Sequence, residues 1–363
     1  MKKLSIYVHI PFCERKCAYC DFVSFKANSN TIDEYVARLV KEIEQFDSNG
    51  YVVDTIFFGG GTPTILSGDN FEKIVNCIKD NFILELTEFT IEGNPISYTQ
   101  DKIELYKRLG VTRLSVGVQS LNDKVLKSIG RIHNGEQALK CLEMLVGSGL
   151  DINCDFMIGL PYQTKEIVSN DLRKVIDSGI KSISCYSLIL EEGTPLSNMV
   201  EVGELTLPDE DCTVDMYDLV VNTLQKSGLN RYEISNFGKP CLHNIGYWTL
   251  KEYVGFGLSA HSFLGNTRYY NTSDIDEYIN GVERQIEEVL SEADMQKEYT
   301  MLSLRMEQGI NIANFIDKFG EKALTNLLAQ IDKDKKYYNI NDDCIAIKPE
   351  YIYISNSLIA NLI

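Results

Sequence analysis

The sequence lacks an excess of positive charge and lacks a long apolar segment. Lys and Arg number 35 against 52 Asp and Glu, which gives a formal net charge of −17. Because Lys and Arg supply most of the affinity for phosphate backbones, this balance argues against nucleic acid as a partner. No apolar run approaches the roughly 20 residues that cross a bilayer, and the Met1-Lys2-Lys3 start has no signal-type apolar region after it. We therefore expect a soluble cytoplasmic protein without an integral membrane segment.

The sequence also lacks a pattern of paired cysteines. Of ten cysteines, seven are scattered along the chain, several of them in apolar segments: Cys77, Cys141, Cys154, Cys185, Cys212, Cys241 and Cys344. Such cysteines are typical of buried free thiols in a reducing compartment. With 363 residues, 44% of them hydrophobic and 24% charged, the chain has the composition of a globular protein of one large domain or two.

The other three cysteines are grouped. Cys13, Cys17 and Cys20 have C-x3-C-x2-C spacing and follow the apolar run 4–10. Three thiolates on one loop can hold three corners of a cubane iron-sulfur cluster, and the open fourth iron can chelate a small molecule with an amine and a carboxylate, such as S-adenosylmethionine (SAM). A zinc site completed by His9 is an alternative. A disulfide with one spare thiol is a weaker one.

The rest of the chain shows a regular alternation of strand and helix patterns. Helical patterns cover 31–46, 70–81, 101–109, 136–146, 165–177 and 212–224, and between them lie β-type runs at 55–58, 89–92, 113–118, 152–158 and 182–190. Strands buried on both faces and separated by helices indicate a parallel sheet of right-handed βαβ units. With the first apolar run, six units predict an α/β fold, as an incomplete (β/α)6 barrel or a doubly wound sheet.

Polar groups stand at the ends of these strands, where functional loops of parallel βα folds collect. Glu92, Gln119 and Asp155 each lie in or at the end of an apolar strand, where burial without a partner is costly. The run Gly59-Gly60-Gly61-Thr62 offers backbone groups to a small zwitterion, although a plain tight turn is possible. Arg131 could pair with a carboxylate or be a surface residue. Together they predict a polar ligand at the barrel mouth.

The order Tyr7-x5-Cys13-x3-Cys17-x2-Cys20, with these strand-end motifs, resembles the radical SAM superfamily. Over nearly the whole chain the resemblance is to its oxygen-independent coproporphyrinogen III oxidase-like branch, and within that to HemW-type heme chaperones. It implies a [4Fe-4S] cluster on the three cysteines. It also implies a SAM shell made of Tyr7, Tyr19, Gly60, Gly61, Thr62, Glu92, Gln119, Arg131 and Asp155. In this shell the glycines and Glu92 would meet the methionyl amine, Arg131 the carboxylate, and Gln119 and Asp155 the ribose.

Two features within this resemblance separate the chaperones from the oxidase. Phe22 stands where the oxidase loop carries a fourth cysteine, so oxidase activity is not expected and enzymatic activity of any kind is left open. The HNxxYW motif from His243 to Trp248 holds the only Trp of the chain. A neutral imidazole can ligate heme iron and aromatic rings can stack on the macrocycle. His243 is the expected heme ligand, and His261 in the Gly/Ser-rich run 255–262 is either a second candidate or a hydrogen-bonding core residue.

We expect three parts: a partial barrel at 1–230, a barrel-closing segment at 231–293, and a small domain at 294–363. In the last part, helical patterns at 296–306, 312–319, 323–331 and 355–362 and a hairpin at 337–340 and 344–347 resemble a winged helix. The favoured function is a heme chaperone that binds SAM and passes heme to acceptor proteins, as a monomer or weak dimer. The alternatives are a coproporphyrinogen III oxidase and a zinc-knot interaction protein.

Overall fold

The computed structural model describes residues 1–363 and contains fifteen strands and fourteen α-helices. The strands are β1 (Lys2–Ile10), β2 (Tyr51–Gly60), β3 (Leu84–Gly93), β4 (Arg113–Gln119), β5 (Asp151–Ile158), β6 (Ser182–Ser187), β7 (Arg231–Glu233), β8 (Asn236–Gly238), β9 (Tyr253–Phe256), β10 (His261–Leu264), β11 (Thr267–Tyr270), β12 (Gln285–Val289), β13 (Ile310–Asn311), β14 (Tyr338–Ile340) and β15 (Cys344–Ile347). The helices are α1 (Ser29–Glu44), α2 (Gly68–Asn81), α3 (Gln100–Leu109), α4 (Asp123–Ser128), α5 (Gly135–Val146), α6 (Lys165–Asp177), α7 (Pro195–Glu201), α8 (Glu210–Lys226), α9 (Leu242–Trp248), α10 (Ile275–Ile279), α11 (Glu292–Ser303), α12 (Ile312–Phe319), α13 (Glu321–Ile331) and α14 (Ser355–Ala360).

Strands β1 to β6 lie side by side in chain order, and each is parallel to its neighbour. Beyond β1 the sheet continues through β9, which is parallel to β1, to the antiparallel β10, β11 and β12. Beyond β6 it continues through the antiparallel β8 and β7. The edge strands β12 and β7 do not pair with each other, so the sheet is open. The predicted α/β fold with an incomplete six-unit barrel is confirmed.

The helices form where capping residues precede an amphipathic stretch. At the start of α1 the Asn28 side chain accepts the Thr31 N–H at 3.0 Å, and the helix then buries Tyr35, Leu39 and Ile43 against the sheet. Strand β2 is buried over eight consecutive residues, as expected for a strand covered on both faces. Each large apolar side chain buried in this way contributes about 1.5–3 kcal/mol.

The segment 231–293 is part of the same sheet and adds six short strands, β7 to β12, that the sequence patterns did not predict. Phe256 and Tyr278 pack in the main core with the barrel strands, whereas Phe263 and Leu290 pack in a second core with the C-terminal residues. The segment therefore joins the two cores. The predicted boundaries at 230 and 293 stay predictions.

The C-terminal part consists of α11 to α14 around a three-stranded antiparallel sheet in the order β13-β15-β14. Its core includes Tyr299, Phe315, Ile331 and Ile345. The predicted hairpin is present as β14 and β15, and β13 was not predicted. The resemblance to a winged helix stays a prediction. Across the fold, no helix combines the length and hydropathy needed to cross a bilayer.

Candidate cluster and cofactor site

The cysteine loop leaves the carboxyl end of β1 and is tied to elements that are distant in sequence. The Cys13 N–H donates to the Phe25 carbonyl at 3.0 Å, and the Ala18 N–H donates to the Ile129 carbonyl at 3.0 Å. In turn the Ala18 carbonyl accepts the Leu196 N–H at 2.9 Å. The loop is therefore fixed at Cys13 and again at Ala18, between the second and third cysteines.

The glycine run after β2 packs directly against this loop. The Gly61 N–H donates to the Ile10 carbonyl and the Thr62 N–H to the Phe12 carbonyl, both at 2.8 Å. A Cβ on Gly61 would lie 2.7 Å from the Phe12 oxygen and 3.0 Å from the Cys13 sulfur. Glycine is required here because the two backbones approach closely. Because the Gly61 and Thr62 N–H groups donate to the β1 end and the cysteine loop, they are not free to donate to a ligand.

The loop and the strand ends enclose a cavity of about 350 Å³, which we call the cluster cavity. Its lining contains most of the residues that the sequence singled out: Cys13, Cys17, Cys20, Tyr19, Gly60, Gly61, Thr62, Glu92, Gln119, Arg131 and Asp155. Tyr7, His243 and the alternative ligands His9 and His261 are not part of this lining. The roles of the lining residues in binding SAM stay predictions, but their common location is a fact of the structure.

Arg131 lies inside the cluster cavity and not on the outer surface. Its Nη1 donates to the Cys17 sulfur at 3.3 Å, and its Nη2 donates to Asn94 Oδ1 at 2.5 Å and to the Gly117 carbonyl. A Cβ at Gly117 would lie 3.2 Å from both Arg131 Nη2 and Gln119 Nε2, so glycine leaves room for the two side chains. The buried Arg131 Nε has no partner, and such an orphan donor fits a carboxylate ligand.

Two carboxyl groups in the cavity have raised pKa values. Burial raises the pKa of Glu92 to about 8, the charge of Asp155 adds to the effect, and a bond from the Gly60 N–H opposes it. Burial raises the pKa of Asp155 to about 6, although the Ser115 hydroxyl donates to its two oxygens at 3.2 and 3.1 Å. Near neutral pH Glu92 is thus mainly protonated without a ligand. A bound ammonium group would favour its ionised form.

Gln119 has a strained backbone. Its φ of 69° lies in the left-handed region, and the register with β5 shifts between Gly117 and Gln119. A buried residue other than glycine in this conformation costs of order 1–3 kcal/mol and is frequent at binding sites. This strain is consistent with the prediction that the end of β4 is part of a binding site.

The geometry argues against the zinc alternative. His9, the expected fourth zinc ligand, contacts Tyr7 Oη through Nδ1 at 3.0 Å and the Val23 carbonyl through Nε2 at 3.1 Å. No three His, Cys, Asp or Glu side chains in the structure are close enough to hold one metal ion. A tetrahedral zinc needs its donors within about 2.3 Å of one point, whereas a cubane distributes three thiolates over three irons. Three cysteines around a cavity fit the cubane.

His243 lies in the core and has a different setting from the one we expected of a heme ligand. It is only 1% exposed; Nδ1 contacts Thr55 Oγ1 at 3.0 Å and Nε2 contacts Tyr247 Oη at 2.9 Å. Burial lowers the pKa of the imidazole to about 3, and the charge of Lys251 acts in the same direction. Because both ring nitrogens are engaged, the His243–Tyr247 pair of the HNxxYW motif performs a structural role in this conformation.

Tyr7 lines a second cavity next to the first, together with His261. Conversely, the cluster cavity contains residues that the sequence analysis did not select, among them Asn94 and Tyr186. Asn94 follows Glu92 in the same strand-end motif, and Tyr186 lies near the end of β6. The positions of Asn94 and Tyr186 at the ends of strands could have identified them as lining residues. Their residue types alone gave no reason to select them.

Comparison with known proteins places the chain among characterised relatives. The family model described as the radical SAM superfamily matches residues 7–175. A heme chaperone HemW of Lactococcus lactis subsp. lactis (strain IL1403) is 37% identical over 349 residues, which cover 93% of this chain and 92% of that protein. The heme chaperone HemW of Bacillus subtilis (strain 168) is 36% identical over 346 residues, covering 91% and 90%.

The fold also matches a solved structure along its full length. The coproporphyrinogen III oxidase HemN of Escherichia coli, a radical SAM enzyme, superposes with a TM-score of 0.84 over 99% of this chain and 90% of that one. The sequence identity is 20%. At this identity the match establishes the shared fold alone.

Proposed function

Because this chain belongs to the radical SAM superfamily, and within it to the family of the relatives named heme chaperone HemW, we propose that it binds heme and passes it to acceptor proteins. The sequence match to two such chaperones extends over more than nine-tenths of the chain, including the segment after the barrel. This continuous similarity is the observation that carries the proposal.

Membership of the superfamily implies a [4Fe-4S] cluster and SAM, and the cluster cavity fits both. The three thiols line it, and the orphan Nε of Arg131 points to an anionic ligand group there. Such a cluster would supply the electron for reductive cleavage of the SAM sulfonium. Arg131 would pair with the SAM carboxylate, and Glu92 would accept from the amine as its carboxyl loses a proton.

The remaining SAM residues would orient the nucleoside end. The Asp155 carboxylate accepts hydrogen bonds from the Ser115 hydroxyl and, at 2.8 Å, from Asn153 Nδ2. These bonds fix its orientation in the cavity lining. A fixed carboxylate is suited to accept from ribose hydroxyls, and the Gln119 side chain beside it can do the same. Tyr19, on the cysteine loop, is part of the cavity lining. These assignments extend the proposal to individual residues.

The proposal is tested with the protein reconstituted anaerobically with iron and sulfide. We expect hemin to cause a saturable Soret shift at one equivalent per chain, and heme to pass from this complex to an apo-hemoprotein mixed with it. Transfer is measured by the appearance of the acceptor's own spectrum. A chain that binds hemin without saturation, or that never releases it to any acceptor, would not be a heme chaperone.

The runner-up is an oxygen-independent coproporphyrinogen III oxidase, the activity named for HemN, whose fold this chain shares. Phe22 stands where the oxidase loop has a fourth cysteine, and this difference argues against oxidase activity. The deciding assay is anaerobic incubation with coproporphyrinogen III, SAM and a reductant. Protoporphyrinogen formed in step with 5′-deoxyadenosine would establish the oxidase, whereas no product is expected from the chaperone.

A further inference from the structure

Asn94 follows β3 and lines the cluster cavity, but it belongs neither to the three cysteines nor to the predicted SAM shell. Its side chain makes two hydrogen bonds. Oδ1 accepts from Arg131 Nη2 at 2.5 Å, and Nδ2 donates to Thr62 Oγ1 at 3.1 Å. The amide of Asn94 therefore joins the loop after β2 to the arginine that follows α4.

Both partners of Asn94 also contact a sulfur atom of the cysteine loop. Thr62 Oγ1 lies 3.5 Å from Cys13 Sγ, and Arg131 Nη1 donates to Cys17 Sγ at 3.3 Å. A continuous series of hydrogen bonds thus runs in the order Cys13, Thr62, Asn94, Arg131 and Cys17. We call this series the sulfur chain. Asn94 stands at its centre and links the sulfurs of two cysteines that are predicted cluster ligands.

The chemistry of Arg131 fixes the direction of the bonds in the sulfur chain. A guanidinium has N–H donors and no acceptor, so the amide oxygen of Asn94 has to face it. The amide nitrogen then faces Thr62, whose oxygen is the acceptor. The hydroxyl hydrogen of Thr62 is left for Cys13, whose sulfur accepts it as a thiolate. At each end of the sulfur chain, therefore, a hydrogen atom points at a sulfur.

Asn94 and Thr62 are held in place by contacts outside the sulfur chain. The Asn94 N–H donates to Ser97 Oγ at 3.1 Å, and the Ser97 hydroxyl donates to the Asn94 carbonyl at 2.7 Å. Thr62 is only 5% exposed. Because water has little access to its hydroxyl, the bond from Thr62 to the Cys13 sulfur is stronger than a bond at the surface would be.

Hydrogen bonds to the cysteine sulfurs are among the factors that set the reduction potential of an iron-sulfur cluster. They favour the reduced cluster, because it carries one more negative charge than the oxidised one. We propose that Asn94 is a positioning residue, which holds the Thr62 hydroxyl and the Arg131 guanidinium toward the two sulfurs and thereby raises the reduction potential of the cluster. The inference rests on the cluster of the proposed function, and not on the binding or transfer of heme.

The test is a redox titration of the anaerobically reconstituted protein, followed by EPR without added SAM. T62V keeps the side-chain shape and removes the hydroxyl, so we expect the equilibrium constant for one-electron reduction to fall about tenfold, which lowers the midpoint by about 59 mV. T62S retains the hydroxyl and should keep the wild-type midpoint. T87V is the matched control, because the Thr87 hydroxyl donates to the Asp54 carbonyl at 3.0 Å outside the cavity lining. Its midpoint should not move.

N94D tests whether Asn94 acts through Thr62. The carboxylate has the shape of the amide but no N–H, so it accepts the Thr62 hydrogen that otherwise points at Cys13. We expect N94D to lower the midpoint at least as far as T62V, and the double variant T62V/N94D to have the midpoint of N94D. An effect of the added charge alone would instead make the shifts of the two single variants additive.

Circular dichroism and the content of iron and sulfide verify the folding and cluster assembly of each variant. If wild-type protein assembles no cluster, the cluster of the proposed function fails, and the inference fails with it. If the cluster forms but T62V keeps the wild-type midpoint, T62S falls as far as T62V, or the shifts add, the inference is wrong and the proposed function is unaffected. Should T62V or N94D assemble no cluster, T62A or N94A takes its place. A wild-type midpoint there would overturn the inference, and a lowered one would support it.

Discussion

The two adjoining cavities are built from different parts of the sheet and carry different chemistry. The cluster cavity lies at the carboxyl ends of the parallel strands and collects charged groups, among them Glu92, Arg131 and Asp155. The second cavity lies between β1 and the extension at β9 and β10, and three phenol rings and two imidazoles dominate its lining. Parallel strand ends thus gather polar groups, whereas the extension adds a more apolar and aromatic surface.

The largest expected effect is the loss of the cluster when the three cysteines of the cluster cavity are replaced. The triple variant C13S/C17S/C20S should lose the cluster and its visible absorption completely, because hydroxyl groups do not replace thiolate ligands. It should still bind hemin, since neither of the candidate heme ligands, His243 and His261, lines the cluster cavity. Iron and sulfide analysis and a hemin titration measure both. C212S, on α8, is the matched control and should keep its cluster.

A folded triple variant that no longer binds hemin would show that heme binding depends on the cluster cavity. Retention of cluster iron by the variant would remove the cysteine assignment itself.

Arg131 tests the charged character of the cluster cavity. R131A removes the guanidinium that contacts Cys17, Asn94 and the Gly117 carbonyl, and we expect SAM affinity to fall by roughly 2–5 kcal/mol. Equilibrium dialysis with labelled SAM measures the loss. R15A removes an exposed arginine from the same cavity lining and should change SAM affinity by less than about 1 kcal/mol. Equal losses in the two variants would contradict the assigned role of Arg131.

Gly60 connects the two cavities, because it lines the first and packs on His9, which lines the second. Its φ is 107°, and a Cβ would lie 2.6 Å from the His9 ring. We expect G60A to destabilise the protein by about 1–3 kcal/mol through strain and to add a clash. G50A is the control. Gly50 also has a positive φ, of 84°, but no atom lies within 4 Å of its Cβ position, so G50A measures the backbone strain without a clash. Urea unfolding measures the difference; equal losses would show that the contact with His9 has no cost.

Much of this architecture could be predicted from the sequence, because its signals are local. The runs that become β2 to β6 are short, apolar and separated by helical patterns, so a parallel sheet in chain order followed directly. The strand-end residues Glu92, Gln119 and Asp155 stand out because polar groups in apolar strands need partners. A shared edge of the sheet then brings them together.

The rest depends on contacts that no local pattern contains. Strand β12 is exposed along its whole length, so it shows no alternation of buried and exposed residues. Arg131 meets the Cys17 sulfur across 114 positions of sequence. The HNxxYW motif at His243 is easily found in the sequence. The sequence does not show, however, that both ring nitrogens of His243 make hydrogen bonds, to Thr55 and Tyr247. The accessible His261 has no motif of comparable length, and its carboxylate partner lies on another strand.

A further prediction concerns pH. Because the pKa of Glu92 is raised from its ordinary 4.5 to about 8, the folded chain binds more protons than the unfolded chain between these values. Its stability therefore falls as pH rises through this window. We expect E92Q to remove part of this decline in the cluster-free protein and to be more stable than wild type near pH 8. Urea unfolding at several pH values measures it, and parallel curves for the two proteins would contradict the buried setting of Glu92.

The proposal that one chain binds heme and SAM at separate places is tested by titrating hemin into reconstituted protein already saturated with SAM. We expect one heme per chain with SAM still bound, as measured by absorption and by recovery of both ligands after gel filtration. Displacement of SAM by hemin, or failure of the SAM-saturated protein to take up hemin that the SAM-free protein binds, would contradict it.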